Sequence, residues 1–328
     1  MNKKKEISVA AADIGATHIR SAVFTGESAG NLSCDVCRKE TICRDGPDGT
    51  AVTEQAVRMI KTACNEAGCR PDAIGISAAG PFSAGKNSIH LSPNMPYAEI
   101  PLKAPLEDTF SCPVFILNDA SAGAYCEYIT GRECGTCRNI VYLTISTGIG
   151  CGIISDGRLI EGADGNAGEI GHICVDTSYN MPCGCGGSGH WEAYASGSRM
   201  PQFFCAWCRH NAPERKSALP GTAAELCNAA HSGDPDATAF FRELAVINGC
   251  GLSTIISAYA PKKIIVDGPV ATENPDIIFE PALKHIDAYL PIPEIVLEGA
   301  DGMAPLKGAA LFAGMSLIRQ NCNIRSED

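Results

Sequence analysis

The chain states one plan twice. The stretch ISVAAADIGATHIRSAVFTGESAGNL, starting at Ile7, reads as a strand, a tight turn at Asp13-Ile14-Gly15-Ala16-Thr17, a second strand and another glycine-containing turn. The stretch NIVYLTISTGIGCGIISDGRLIEG, starting at Asn139, repeats it: a strand over 140–145, a glycine turn over 146–150, a strand over 151–155, then a turn and a strand. Each half continues into helices and later strands. The first half gives a helix near 53–67, where Ala56, Met59, Ile60 and Ala63 recur at helical spacing, strands over 73–77 and 114–117, and a helix from 120. The second gives a helix near 237–259, a strand over 264–267, a helix near 275–288, a strand over 294–297 and a final helix. Hairpins that lead into alternating helices and strands imply an α/β protein of two related lobes, with a ligand in the cleft between them. The expected division is 1–130 for the N-terminal lobe and 131–328 for the larger C-terminal lobe, joined near 128–138, with the C-terminal helix 304–320 packing near the first.

A length of 328 residues accommodates two cores of this kind. The formal net charge of -11, with basic residues run together only at 3–5, repels phosphate backbones and argues against nucleic-acid binding. That basic run is not followed by the apolar core of a signal peptide, because 8–13 already reads as a strand and turn. No stretch approaches the roughly 20 apolar residues of a membrane span. A cytoplasmic protein without a membrane partner is expected. The 18 cysteines would then be reduced thiols rather than a disulfide scaffold. Cys64, Cys112, Cys126, Cys151 and Cys250 sit in apolar patterns where a small buried hydrophobe suffices. Of the pairs Cys34/Cys37, Cys134/Cys137 and Cys205/Cys208, two could make a four-thiolate zinc site, although a cysteine-rich chain produces such spacings by chance.

Three stretches carry chemistry. The two glycine turns present several backbone N–H groups toward one point, as phosphate-binding nests do; Thr17 and Thr147 add hydroxyls, and Asp13 could hold a hydrated Mg²⁺. Generic hairpin chemistry would give the same residues. Next, VFILNDASAGAYCEY ends a buried strand on Asn118-Asp119 and begins a helix at once. Asp119 is there either as the N-cap of that helix or as a base facing a substrate hydroxyl, with Asn118 on a neighbouring hydroxyl. Finally, EIGHICVDTSYNMPCGCGGSGHWEAYASG places His172, Cys183, Cys185 and His190 round a glycine turn. Four such ligands suit a closed, structural zinc, the alternative being a cysteine-rich loop without metal. Glu169 and Glu192 bracket the set and remain free to point elsewhere.

Taken in order, Asp13-Ile-Gly-Ala-Thr17, Gly75-Ile-Ser-Ala-Ala-Gly-Pro81, Ser92-Pro-Asn94, Asn118-Asp119, Ser146-Thr-Gly-Ile-Gly150, Glu169-Ile-Gly-His172, the Cys183-x-Cys185 turn and Glu192-Ala-Tyr-Ala-Ser resemble the ROK family of sugar kinases and sugar-responsive repressors. The resemblance runs from the first strand to PLKGAALFA near the C-terminus. It implies two actin-like, ribonuclease H-like lobes with an interlobe active-site cleft. It also implies ATP-dependent phosphorylation of a hexose, most directly glucose to glucose 6-phosphate, in a homodimer or larger homo-oligomer. Asp119 matches the catalytic base, and Asn94, Asn118, Asp119, Glu169, His172 and Glu192 match sugar-binding positions. Asp13, Gly15, Ala16, Thr17, Thr147, Gly148 and Gly150 match the phosphate loops, and Gly268 the adenosine-side loop, where Pro269 departs from a glycine-richer pattern. ATP with Mg²⁺, and a structural Zn²⁺ on His172, Cys183, Cys185 and His190, are the implied cofactors; His190 stands where the family commonly has a third cysteine. An N-acetylmannosamine or other hexosamine kinase is the alternative. A non-catalytic regulator is the remote one, since the first turn begins at Asp13 and leaves no room for an added helix-turn-helix.

Overall fold

The computed structural model describes residues 6–92, 95, 97–131, 137–215, 218–298 and 302–324. These divide into two compact units, one built from segments 1–138, 156–167 and 303–328, the other from 139–155 and 168–302. The single cut expected at 130/131 is thus replaced by four crossings, at 138/139, 155/156, 167/168 and 302/303.

The first unit is a five-stranded sheet in the order β3-β2-β1-β4-β7. Its strands are β1 (Ile7–Ile14), β2 (His18–Ser28), β3 (Asn31–Thr41), β4 (Ala73–Ala78) and β7 (Val114–Asn118). A short hairpin of β5 (Ser88–His90) and β6 (Glu99–Pro101) lies apart from it. β1 pairs antiparallel with β2 and parallel with β4, which pairs parallel with β7. β1 and β4 are short apolar runs because both faces are covered; Val9 to Ala12 and all of β4 are buried. One face packs on α1 (Thr50–Ala67), whose Val52, Ala56, Met59, Ile60 and Ala63 make the predicted stripe. α2 (Lys103–Phe110) lies beside β7, and α3 (Asp119–Thr130) follows β7 directly. The sequence reading ends before β3. Ten of its eleven residues are exposed or half-buried, so it offers no apolar pattern to read.

The second unit opens with β8 (Ile140–Ile145) and β9 (Ile149–Ser155). Segment 156–167, with the two-residue strand β10 (Arg158–Leu159), belongs to the first unit. Then come α4 (Glu192–Ala195), α5 (Met200–Asn211), α6 (Ala223–His231), α7 (Pro235–Tyr259), β11 (Lys263–Asp267), α8 (Pro269–Thr272), α9 (Pro275–Ile278) and β12 (Glu294–Leu297). β8 pairs antiparallel with β9 and parallel with β11, which pairs parallel with β12. The run β9-β8-β11-β12 therefore repeats β2-β1-β4-β7 in order and direction, as the duplicated hairpins imply. The predicted helix over 275–288 is broken into α9 and a 3-10 turn at Glu280–His285; Pro281 sits in that stretch and has no N–H to donate.

α7 corrects one expectation. It is long and apolar enough, by length and composition, to cross a bilayer, but 67% of the apolar window is buried. Leu244, Leu252 and Ile255 join the core of the unit, and Asn248 accepts from Trp191 Nε1 at 2.8 Å. The C-terminal helix α10 (Ala304–Ile324) returns to the first unit and covers the other face of its sheet, packing on α3, β4 and β1.

Candidate functional site

In the first unit the candidate residues gather at the carboxyl ends of β1, β4 and β7. Gly15 N–H donates to His18 O at 3.0 Å and closes the turn, while the N–H groups of Ala16 and Thr17 have no partner among the described residues. Unpartnered donors of this kind are what an anion needs. Asp13, the next-to-last residue of β1, accepts from Ser77 Oγ at 2.8 Å and lies 3.9 Å from Arg20 Nη1. Burial pushes its carboxyl up to about 6; the Ser77 hydrogen bond works against this, the charge of Asp119 adds to it and Arg20 opposes it. A cation at this turn would relieve both the desolvation and the repulsion, so the donor set fits a hydrated divalent metal.

At 118–119 the cap is Asn118 rather than Asp119. Asn118 is the N-cap of α3: its Oδ1 accepts from Ala120 N–H at 3.0 Å and Ser121 N–H at 3.3 Å. Asp119 is the first helical residue, and its Oδ1 accepts from Ala120 N–H at 2.8 Å. Asn118 thus has one amide oxygen engaged in the cap, which leaves its NH₂ as the group available to a hydroxyl.

In the second unit the glycine turn between β8 and β9 is strapped from outside. Ser146 N–H donates to Gly148 O at 2.9 Å, Gly197 N–H to Ser146 O at 2.8 Å and Ser198 Oγ to Thr147 O at 2.7 Å. Glu192 does not hang free as its sequence position suggests. It is buried, and its Oε2 accepts from Ile149 N–H at 2.9 Å, so one carboxylate oxygen helps to hold the turn. Gly268 opens the turn after β11 at φ 94°, where a Cβ would stand 2.4 Å from Ile145 O; only glycine fits there. Its N–H is held by Asp267, whose other oxygen takes the hydroxyl of Tyr142.

His172, Cys183, Cys185 and His190 come together, with one ligand atom from each lying within 4.8 Å of all the others. Cys183 Sγ is 3.5 Å from His172 Nδ1, and Cys185 Sγ is 3.2 Å from His190 Nδ1. Ligand atoms on a tetrahedral zinc with bonds of about 2.0–2.3 Å stand roughly 3.3–3.8 Å apart, a spacing these two pairs already hold to within about 0.1 Å. Burial pushes the Cys183 thiol up to about 11 and holds His190 below the usual histidine range. A neutral imidazole is ready to ligate; the thiol must give up a proton to the bound cation. Gly187 lets the loop close, since a Cβ there would lie 2.5 Å from the His190 ring. His172 faces two ways: Nδ1 toward the cluster and Nε2 toward Glu169 Oε2 at 3.8 Å. Among the described residues this is the one group of three or more such ligands. Asn94 and Cys134 lie outside the described residues.

Four residues with evident positions here, Arg20, Arg44, Ser77 and Ser198, were not anticipated. Arg20 and Ser77 lie opposite Asp13 in the ladders, a signal that strand register alone supplies.

A sheet plan repeated in two units, each opening on a glycine turn, defines the actin-like ATPase class of fold. The profile of the ROK family matches residues 9–314. A glucokinase of Pyrobaculum calidifontis is 34% identical over 278 residues, covering 85% of this chain and 84% of that one. Among solved structures, a ROK hexokinase from Thermus thermophilus aligns at TM-score 0.77 and 29% identity over 95% of this chain and 100% of its own. A ROK family glucokinase from Streptomyces griseus, in complex with glucose and AMPPNP, aligns at 0.72 and 29% over 93% and 99%. The chain belongs to the ROK family.

Proposed function

We propose that the chain is an ATP-dependent hexose kinase that transfers the γ-phosphate of ATP to a hydroxyl of glucose. The observation that carries this is that Asp13 and Asp119 interact from the ends of β1 and β7, on either side of β4, beside a turn whose Ala16 and Thr17 N–H groups have no partner among the described residues. Asp119 takes the proton of the attacking sugar hydroxyl, a role that contributes about 10²–10⁴-fold. Asp13 holds the hydrated Mg²⁺, which when bound neutralises charge on the phosphate oxygens. The N–H groups of Ala16 and Thr17, together with Thr147, Gly148 and Gly150, orient the phosphates, and Gly268 allows close approach on the adenosine side. Asn94, Asn118, Glu169, His172 and Glu192 hold sugar hydroxyls; carboxylate oxygens accept from a neutral polyol, and Glu192 keeps Oε1 for this while Oε2 holds Ile149 N–H. His172, Cys183, Cys185 and His190 hold one structural Zn²⁺, which sets the orientation of His172. The protein acts as a homo-oligomer in the cytoplasm.

Supporting the choice of sugar are the glucokinase relatives and the absence of any residue pattern that signals an acetyl pocket. The test is release of ADP from ATP with a panel of hexoses and hexosamines, N-acetylmannosamine included. Turnover greatest with glucose is expected; no turnover with any hexose refutes the kinase reading, and preference for N-acetylmannosamine refutes the choice of sugar.

A further inference from the structure

The loop between β3 and α1 reads ICRDGPDG and carries Arg44 against the first glycine turn. Two bonds fasten this loop to the turn: Ile42 N–H donates to Thr17 O at 3.0 Å, and Arg44 Nη2 donates to Ala16 O at 2.8 Å. Three other arginines of the unit are each matched to a carboxylate, Arg20 to Asp13, Arg38 to Glu66 and Arg58 to Glu40. Arg44 is exposed and forms no ion pair with a described residue. Of the acids that follow it in the loop, Asp48 is engaged by the N–H and hydroxyl of Thr50. One carbonyl uses one of the five guanidinium N–H donors, so the charge and the remaining donors are left over at the tip of the turn.

We propose that Arg44 grips the terminal phosphates of a bound nucleoside triphosphate above this turn, completing a cradle with the N–H groups of Ala16 and Thr17. The proposal rests on the kinase reading. Phosphoryl transfer spreads negative charge over equatorial oxygens, and a guanidinium meets two of them at once where an ammonium meets them as a point charge. The bond to Ala16 O pre-positions the side chain, so little rotamer freedom is lost when the nucleotide arrives.

The test compares wild type with R44A and R44K, measuring AMPPNP and AMP affinity by calorimetry and steady-state kinetics with glucose and ATP. For R44A we expect at least about a tenfold loss of AMPPNP affinity and of kcat/KM for ATP, with AMP affinity and KM for glucose within about twofold of wild type. R44K falls between. AMPPNP affinity unchanged in R44A overturns the proposal. So does an equal loss for AMPPNP and AMP, which marks Arg44 as a brace of the loop rather than a phosphate ligand. If wild type phosphorylates no hexose, the kinase reading falls separately, and the AMPPNP to AMP comparison still decides for or against Arg44.

Discussion

Asn118 caps α3 and the adjacent Asp119 is the proposed base, so their substitutions should separate stability from chemistry. Asn118→Ala removes the acceptor of two N–H groups at the start of α3 and should cost about 1 kcal/mol of stability, while Asn118→Ser, which can still cap, loses less. Asp119→Asn keeps the shape and removes a negative charge that bears on Asp13. It should lower kcat by about 10²-fold or more without lowering the melting temperature. Thermal denaturation beside turnover measures both, and full activity in Asp119→Asn would refute its role as base. The sequence left 118–119 open between cap and base, because both readings need a short polar residue at a strand-to-helix junction. The bond partners that separate them appear only when the backbone is in place.

At the scale of elements, α7 shows how one helix start carries a charge network. Asp234 caps it by accepting from the N–H groups of Asp236 and Ala237, both at 3.0 Å, and takes Arg215 in a two-point pair at 2.9 and 2.7 Å. The Arg215 guanidinium, 5.2 Å from the Phe204 ring centre, holds the Asp234 carboxyl down at about 2, against an ordinary 3.8. The folded state therefore binds this proton less readily than the unfolded chain. Its contribution is complete above pH 4 and is lost as pH falls from about 4 through 2, amounting to about 1–2 kcal/mol after allowance for solvent screening. Chemical denaturation at pH 6, 4 and 2 should show Asp234→Asn less stable than wild type at pH 6, with the difference shrinking at pH 2. A constant difference would remove the linkage. Elements were legible where burial imposes a period: the stripe of α1 and the runs of β1, β4 and β11 stand out in the letters. β3 does not, since it is held by the hydrogen-bond ladder of β2 and only Leu32 of its side chains is buried. The strapping of the second glycine turn by Glu192, Gly197 and Ser198 was equally hidden, because it joins residues more than forty positions apart through one carboxylate and a few backbone atoms.

For the whole molecule, two units with separate cores make a single melting temperature a poor summary of stability. The Cys/His cluster lies wholly within the second unit, so its metal should affect that unit first. We expect about one zinc per purified chain, and Cys185→Ala, an exposed ligand position, should lose it. Scanning calorimetry of that variant should shift one transition downward and leave the other in place. A metal-free wild type with an unaltered thermogram would contradict the assignment.

The terminal helix α10 has a consequence for how the molecule is made. Leu306, Ala309, Ala310, Leu311 and Ala313 are buried where it packs on α3, β4 and β1, yet they follow the whole of the second unit along the chain. The five-stranded sheet of the first unit, whose last strand ends at Asn118, thus emerges with one side bare, and all of the second unit must be translated before it is covered. At roughly 5–20 residues per second that delay is on the order of ten seconds or more. The half of the protein born first is the half that is finished last.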